Sequence, residues 1–164
     1  MNRLKGDSVL LLKVKPGELE RAVRDLKRKE EITDVVLVSG PYDLVASGAF
    51  RDYRTLRDFV EHIESMPYYQ ACDGRPSFDS WRRKDVLEPT EEGWTLIKSS
   101  TPSRTVRELK RVSNVRRIVL TDGDFNLLVN TRADNGQDLD RLLLEKIHSA
   151  TGVERAVTLP RVSE

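Results

Sequence analysis

Two rhythms of apolar positions alternate along the chain. Ser8–Lys15 is a short, almost continuous apolar run broken by Pro16-Gly17, which predicts a strand buried on both faces. Leu19, Ala22, Val23 and Leu26 then stand at i, i+3, i+4 and i+7, with Glu20, Arg21, Arg24, Asp25, Lys27 and Arg28 between them, the spacing of an amphipathic helix. Ile32–Ser39 and Leu44–Phe50 are β-rich runs joined by Gly40-Pro41-Tyr42-Asp43, a turn-forming tetrapeptide that predicts a hairpin. Helical spacing returns at Leu56, Phe59, Val60 and Ile63 and stops at Met66-Pro67, leaving Tyr68–Asp73 as a closing strand.

The same order then recurs. Trp94–Lys98, a helix from Pro102 to about Val112, Val115–Asp122, Phe125–Arg132, a helix around Leu139–Ile147 and Val153–Leu159 form a second series. Thr101-Pro102 suits a helix start, with threonine able to cap and proline at the first helical position. Residues 22–47 and 105–130 align without a gap at an offset of 83, with nine of 26 positions identical, among them Gly40/Gly123 and Leu44/Leu127. Repetition at this length marks two copies of one folded unit. The boundaries it predicts are a first unit over 8–73, a connector over 74–92 and a second unit over 93–160. Within the connector, Phe78, Trp81 and Val86 point to packing, since a disordered linker has little use for aromatics.

Each copy reads as βαββαβ, so the predicted class is α+β: two tandem ferredoxin-like units. A unit of this kind sets both helices on one face of a four-stranded antiparallel sheet and leaves the other face bare. Packing of the two bare faces on each other, as a pseudo-dimer, is the economical way to cover them.

Composition narrows the function more than the fold. Of 164 residues, 38% are apolar and 34% charged, as in a globular protein with a charged exterior. The formal net charge is +1, so no whole-chain field of one sign draws in nucleic acid, and acidic residues are interspersed among the basic clusters Lys27-Arg28-Lys29 and Arg82-Arg83-Lys84. Direct DNA binding is not expected. The apolar runs fall short of a membrane span and the first ten residues lack a signal core, which predicts a cytoplasmic protein without membrane association. Cys72 is the only cysteine, which excludes a disulfide within the chain and a multi-thiolate metal site. His62 beside Glu61, and Glu145 with His148 at i, i+3, lack a third convergent ligand and read as surface residues; no metal or cofactor is expected. No P-loop, Gly-x-Ser-x-Gly elbow, His-Glu-x-x-His or Gly-x-Gly-x-x-Gly occurs, so the sequence offers no positive evidence of an enzyme.

The stretch VLLLKVKPGELERAVRDLKRKEEITDVVLVSGPYDLVASGAF resembles the effector-binding domain of the leucine-responsive/asparagine-type (Lrp/AsnC) transcription regulators. Gly40-Pro41-Tyr42-Asp43 matches that family's Gly-x-Tyr/Phe-Asp hairpin fully, and Gly123-Asp124-Phe125-Asn126 matches it with the acid replaced by an amide. Ala150-Thr151-Gly152-Val153, leading into Glu154–Leu159, resembles the family's last turn and strand. The resemblance implies a module that pairs through its sheets, forms homo-oligomers and binds a small-molecule effector, such as an amino acid, near the hairpin. DNA-binding family members carry a helix-turn-helix domain ahead of this module, and only seven residues precede Ser8 here. The expectation is a duplicated sensor module whose partners include full-length regulators of the same family.

The ligand-binding candidates are therefore Gly40, Tyr42 and Asp43, with Gly123, Phe125 and Asn126 in the second copy. Glycine permits positive φ and close approach, the aromatic offers a wall, and the aspartate offers a fixed anion for an ammonium group. The bland alternative is that glycine and aspartate merely form the turn, with the carboxylate bonding nearby backbone N–H groups. Asn126 has no negative charge, so any binding should be asymmetric within the chain. Three functions stay open: a ligand-responsive regulatory module without catalysis, an assembly module that senses nothing, and a ferredoxin-like enzyme.

Overall fold

The computed structural model describes residues 3–84 and 91–162, which divide into two compact units. Residues 1–79 and 162–164 make the first unit, and 80–161 make the second. Residues 85–90 of the expected connector, Val86 among them, lie outside the described residues.

In the first unit the order is β1 (Ser8–Val14), α1 (Leu19–Lys27), β2 (Ile32–Leu37), β3 (Leu44–Gly48), α2 (Tyr53–Glu64) and β4 (Tyr69–Arg75). The strands form one sheet in the order β2-β3-β1-β4, and every neighbouring pair is antiparallel. Period-2 alternation along β1 sends Leu10, Leu12 and Val14 into one core, where they meet Ala22 and Leu26 of α1 and Leu56, Phe59 and Ile63 of α2. The helical spacings read from the sequence thus face the sheet, except at Leu19, which is 37% exposed. Val9, Leu11 and Val45, on the opposite face, are buried as well, so β1 is a strand with two buried faces.

The second unit repeats this frame with β6 (Glu91–Ser99), α3 (Pro102–Lys110), β7 (Val115–Leu120), β8 (Leu127–Ala133), α4 (Gly136–Leu142) and β9 (Val153–Pro160). Its core joins Ile97, Val106, Leu109, Ile118, Leu127, Val129, Leu139 and Ile147. The chain is therefore α+β, with two antiparallel, helix-backed sheets. Leu12 opposes Leu44 in the first sheet and Ile97 opposes Leu127 in the second, so the first strands are equivalent at an offset of 85. A loop two residues shorter before α3 restores the offset of 83.

Four expectations need correction. Asp79–Arg82, inside the expected connector, is a strand, β5, which lies beside β7 and makes the second sheet five-stranded in the order β5-β7-β8-β6-β9. Four residues are too few to show a period. The strand is held instead by Arg83, whose Nε donates to the Val115 carbonyl (3.0 Å) and whose Nη2 donates to those of Lys110 (2.9 Å) and Val112 (3.1 Å) at the end of α3. The strand read as Trp94–Lys98 starts at Glu91, since Glu92 is buried and bonds Arg161 at 2.9 Å and the Asn130 amide at 3.0 Å. Thr101 does not cap α3 with its hydroxyl; its own N–H donates to Ser99 Oγ (3.0 Å). The last helix is α-helical only to Leu142 and finishes in a π-helical turn over Leu143–Ile147.

The α2 and α4 caps are equivalent. Asp52 Oδ1 accepts the Thr55 N–H (2.9 Å) and hydroxyl (2.8 Å), while Asn135 Oδ1 accepts the Asp138 N–H (2.8 Å). Among the described residues no helix is long and apolar enough to cross a membrane.

Two measurements test these attachments. Arg83→Ala should cost roughly 1–3 kcal/mol and speed hydrogen exchange in β5 and β7 while sparing the first sheet. Uniform exchange in the variant would show that the arginine does not anchor the strand. The Thr55 N–H, then its hydroxyl, holds the Asp52 carboxyl below its ordinary 3.8, so this cap's pH-dependent contribution is complete above that value and is lost as the solution is acidified through the folded value. Asp52→Asn should unfold near the wild-type temperature at pH 7 and lose less on acidification, because asparagine caps as well as aspartate and does not titrate. Parallel acid limbs in thermal unfolding would contradict this.

Candidate functional site

Both hairpin tips adopt the conformation that their glycines predict, with φ +114° at Gly40 and +103° at Gly123, where a side chain would be strained. Each is exposed. Behind the tip, the fourth residue of the motif ties the turn to the central strand. The Asp43 N–H donates to the Leu12 carbonyl (2.9 Å), and Asp43 Oδ2 accepts the Val14 N–H (2.9 Å). This falls where β1 shifts register against β4, between Lys13 and Val14. The irregularity leaves an N–H outside the ladder, and the carboxylate satisfies it.

Asn126 does the same in the second unit. Its N–H donates to the Ile97 carbonyl (2.9 Å), its Oδ1 accepts the Ser99 N–H (2.9 Å), and its Nδ2 donates to the Ser99 carbonyl (3.0 Å). The register shift is again adjacent, between Lys98 and Ser99. The fourth position is therefore first a clamp, common to acid and amide. The difference lies in what remains: both ends of the Asn126 amide are engaged, whereas Asp43 Oδ1 accepts no hydrogen bond among the described residues.

The aromatic positions have unlike neighbours. The Tyr42 hydroxyl, half-buried, donates to Asp73 Oδ2 at 3.4 Å, and that oxygen also takes Arg75 Nη2 at 2.8 Å and Nε at 3.1 Å. Phe125 is buried and lies under the Arg155 guanidinium, 4.7 Å from the ring centroid, while Arg155 Nη2 donates to the Asp124 carbonyl (3.4 Å). Register places Ala71 of the first copy where Arg155 stands, and Asp73 where the second copy has Val157. Asp73, Arg75 and Arg155 were not among the candidates read from the sequence. Their strands are distant from the hairpins in sequence, and only the register of β4 and β9 against the central strands aligns them.

Cys72 and the two histidines lie elsewhere. Cys72 is buried in the first core, and burial, with the Glu64 and Asp73 charges behind it, pushes its thiol up to about 12, so it stays protonated and unreactive near neutrality. His62 is exposed, and His148 Nε2 shares a hydrogen bond with Thr158 Oγ1 at 3.0 Å. Among the described residues no three His, Cys, Asp or Glu side chains gather as a metal site. Trp94 is buried.

Comparisons place this frame. The family model of the Lrp/AsnC ligand binding domain matches residues 8–83 and 97–164. An uncharacterised HTH-type transcriptional regulator of Pyrococcus horikoshii is 27% identical over 59 residues, a match spanning 36% of this chain and only 39% of the regulator. Among solved structures, the siroheme decarboxylase NirDL superposes with a TM-score of 0.72 at 8% identity, covering 96% of this chain and 71% of its own. A putative chlorite dismutase superposes with a TM-score of 0.60 at 12% identity, covering 99% and 96%. At such identities the two enzymes share the fold alone. The domain match falls on both copies and covers most of the residues, so the chain belongs to the Lrp/AsnC ligand-binding domain family.

Proposed function

We propose that the protein is a ligand-responsive regulatory module of the cytoplasm that binds a small molecule, an amino acid in the simplest case, at the first hairpin. Binding alters its assembly or its affinity for a partner regulator, and the module has no catalysis of its own. One observation carries this reading beyond family membership: Asp43 clamps the hairpin with one carboxylate oxygen and has the other unengaged among the described residues, beside an exposed positive-φ glycine and a tyrosine. A ligand ammonium would pair with Asp43 Oδ1, and the Gly40 tip admits its backbone-sized end. Gly123, Phe125 and Asn126 form the weaker counterpart, since the Asn126 amide is spent on Ser99 and has no charge.

A reading without ligand also has support, because the clamp alone explains the aspartate. In that case the chain is an assembly module that joins copies of itself or family regulators.

Two substitutions at one position separate these readings. Asp43→Asn should keep the clamp, as Asn126 does, and so retain nearly wild-type stability. Asp43→Ala leaves the Val14 N–H without its partner and should cost about 1–3 kcal/mol. In thermal unfolding against the twenty amino acids at millimolar concentration, a ligand at about 100 times its dissociation constant adds roughly 2.7 kcal/mol. The expected pattern is a shift with one or a few amino acids in the wild type, absent in both variants. A wild-type panel without any shift would favour the assembly module, and an undiminished shift in Asp43→Asn would move the site away from this carboxylate.

A further inference from the structure

The first helix of each unit carries the same stripe of arginines. Arg21, Arg24 and Arg28 stand at i, i+3 and i+7 along α1, and Arg104, Arg107 and Arg111 repeat them along α3 at the offset of 83, all exposed. What surrounds the stripe differs. In the first unit Glu18 lies 3.6 Å from Arg21 and Glu20 lies 3.6 Å from Arg24, while the Arg21 guanidinium stacks on the Tyr68 ring, 5.4 Å from its centroid.

In the second unit each of these neighbours is replaced. Thr101 and Ser103 take the places of Glu18 and Glu20. Val14 opposes Tyr69 as Ser99 opposes Val153, so the last strands are equivalent at an offset of 84, and Gly152 takes the place of Tyr68. The helix caps at Asp52 and Asn135 still stand 83 apart, and the π-helical turn over Leu143–Ile147 takes up the extra residue. Arg104, Arg107 and Arg111 form no ion pair among the described residues.

These arginines line a surface groove with Glu108 and Thr151. Glu108 Oε2 accepts the Thr151 N–H (3.1 Å), and the Thr151 hydrogen bonds, followed by the Arg104 and Arg111 charges, hold its carboxyl below the usual glutamate value. Even with that carboxylate charged, three guanidiniums leave the lining positive, in a chain whose net charge is only +1. The Ser100 N–H donates to the Gly152 carbonyl (2.9 Å), which sets the Arg104 end of the groove at the Ser99 end of β6. Lys84 and Glu91 lie at the other end of the sheet, where Val115 and Gly93 both oppose Thr131.

We propose that this groove binds a nucleoside di- or triphosphate, its base stacked on the Arg104 guanidinium where Tyr68 lies in the first unit and its phosphates on Arg107 and Arg111. A guanidinium offers a flat face to an aromatic ring and a fork of N–H donors to phosphate oxygens, so one residue type serves both ends of the ligand. At 1.5 Å per residue, Arg107 lies about 4.5 Å and Arg111 about 10.5 Å along the helix from Arg104, a spacing that suits a ring followed by several phosphates better than a single anion. Glu108, between them, is the acceptor for a ribose hydroxyl. No hairpin residue lines the groove, so this site stands apart from the one proposed at Asp43.

Isothermal titration of the full chain with ATP and GTP, beside tripolyphosphate and adenosine, tests the assignment. At least one nucleotide should bind with a dissociation constant at or below about 1 mM, weakened at least about tenfold by Arg107→Glu or Arg111→Glu. Arg104→Lys keeps the charge and loses the flat face, so it should weaken the nucleotide about threefold and leave tripolyphosphate unchanged. Arg24→Glu, on the stripe already paired, should have no effect. Every substituted arginine is exposed, which keeps the variants folded. The proposal is overturned if neither nucleotide saturates, or if binding survives both Arg107→Glu and Arg111→Glu. It is equally overturned if tripolyphosphate matches the nucleotide with Arg104→Lys silent, which would make this an anion site without a ring, or if duplex DNA binds through these arginines at least about tenfold more tightly than either nucleotide.

Discussion

A central strand that changes register leaves a main-chain N–H that its neighbours no longer satisfy, and each unit is organised around the answer to that constraint. In β1 the group is the Val14 N–H, and the Asp43 carboxylate takes it; in β6 it is the Ser99 N–H, and the Asn126 amide takes it. An unsatisfied buried amide costs on the order of 1–3 kcal/mol, a large share of the stability of a unit this small. The bond spans 29 residues in the first copy and 27 in the second, so it also fixes where the hairpin sits against the strand. Gly40 and Gly123 complete the arrangement by turning the chain through positive φ next to the clamp. The Gly-x-aromatic-Asp/Asn pattern is thus a folding requirement in both units.

That order of priority explains why the motif was legible in the sequence and its chemistry was not. Turn residues announce themselves locally, and the helical stripes at Leu19–Leu26 and Leu56–Ile63 did so too, because both patterns are written in adjacent residues. Leu19 shows the limit of such reading: it continues the apolar stripe of α1, yet it is 37% exposed and lines a surface groove. The neighbours of Tyr42 and Phe125 come from β4 and β9, and their register is set by pairing that no local period encodes. Asp73 and Arg155 therefore emerged only with the sheet. The strand Asp79–Arg82 escaped for a related reason: four residues carry no periodicity, and Arg83, which fastens them, looks in the sequence like one cation in a solvated basic run.

Aspartate-to-asparagine replacement occurs twice between the aligned copies, at Asp43/Asn126 and Asp52/Asn135, and in both the shared side-chain oxygen keeps its backbone hydrogen bond. The geometry tolerates either residue because the accepting oxygen is the same. What changes is charge. An aspartate can hold a backbone N–H with one oxygen and present the other to a cation, whereas the asparagine amide at 126 donates to the Ser99 carbonyl and has nothing left to offer. Duplication therefore conserves the scaffold while releasing one copy from any requirement on charge.

The sheet edges carry the same logic to a larger scale. β7 gains a fifth strand and loses its exposed apolar surface, while β2, built from the equivalent residues, keeps Ile32 and Val35 partly open to water. An uncovered edge beside apolar side chains invites wrong pairing, and proteins commonly blunt such edges with charge. Asp34 in β2 and Lys27 and Arg24 across the groove provide that charge here, whereas Arg117, the counterpart of Asp34, is buried in the covered sheet. Charges beside an edge strand disfavour indiscriminate strand addition, so the first unit guards by charge an edge that the second unit, with β5 in place, guards by cover.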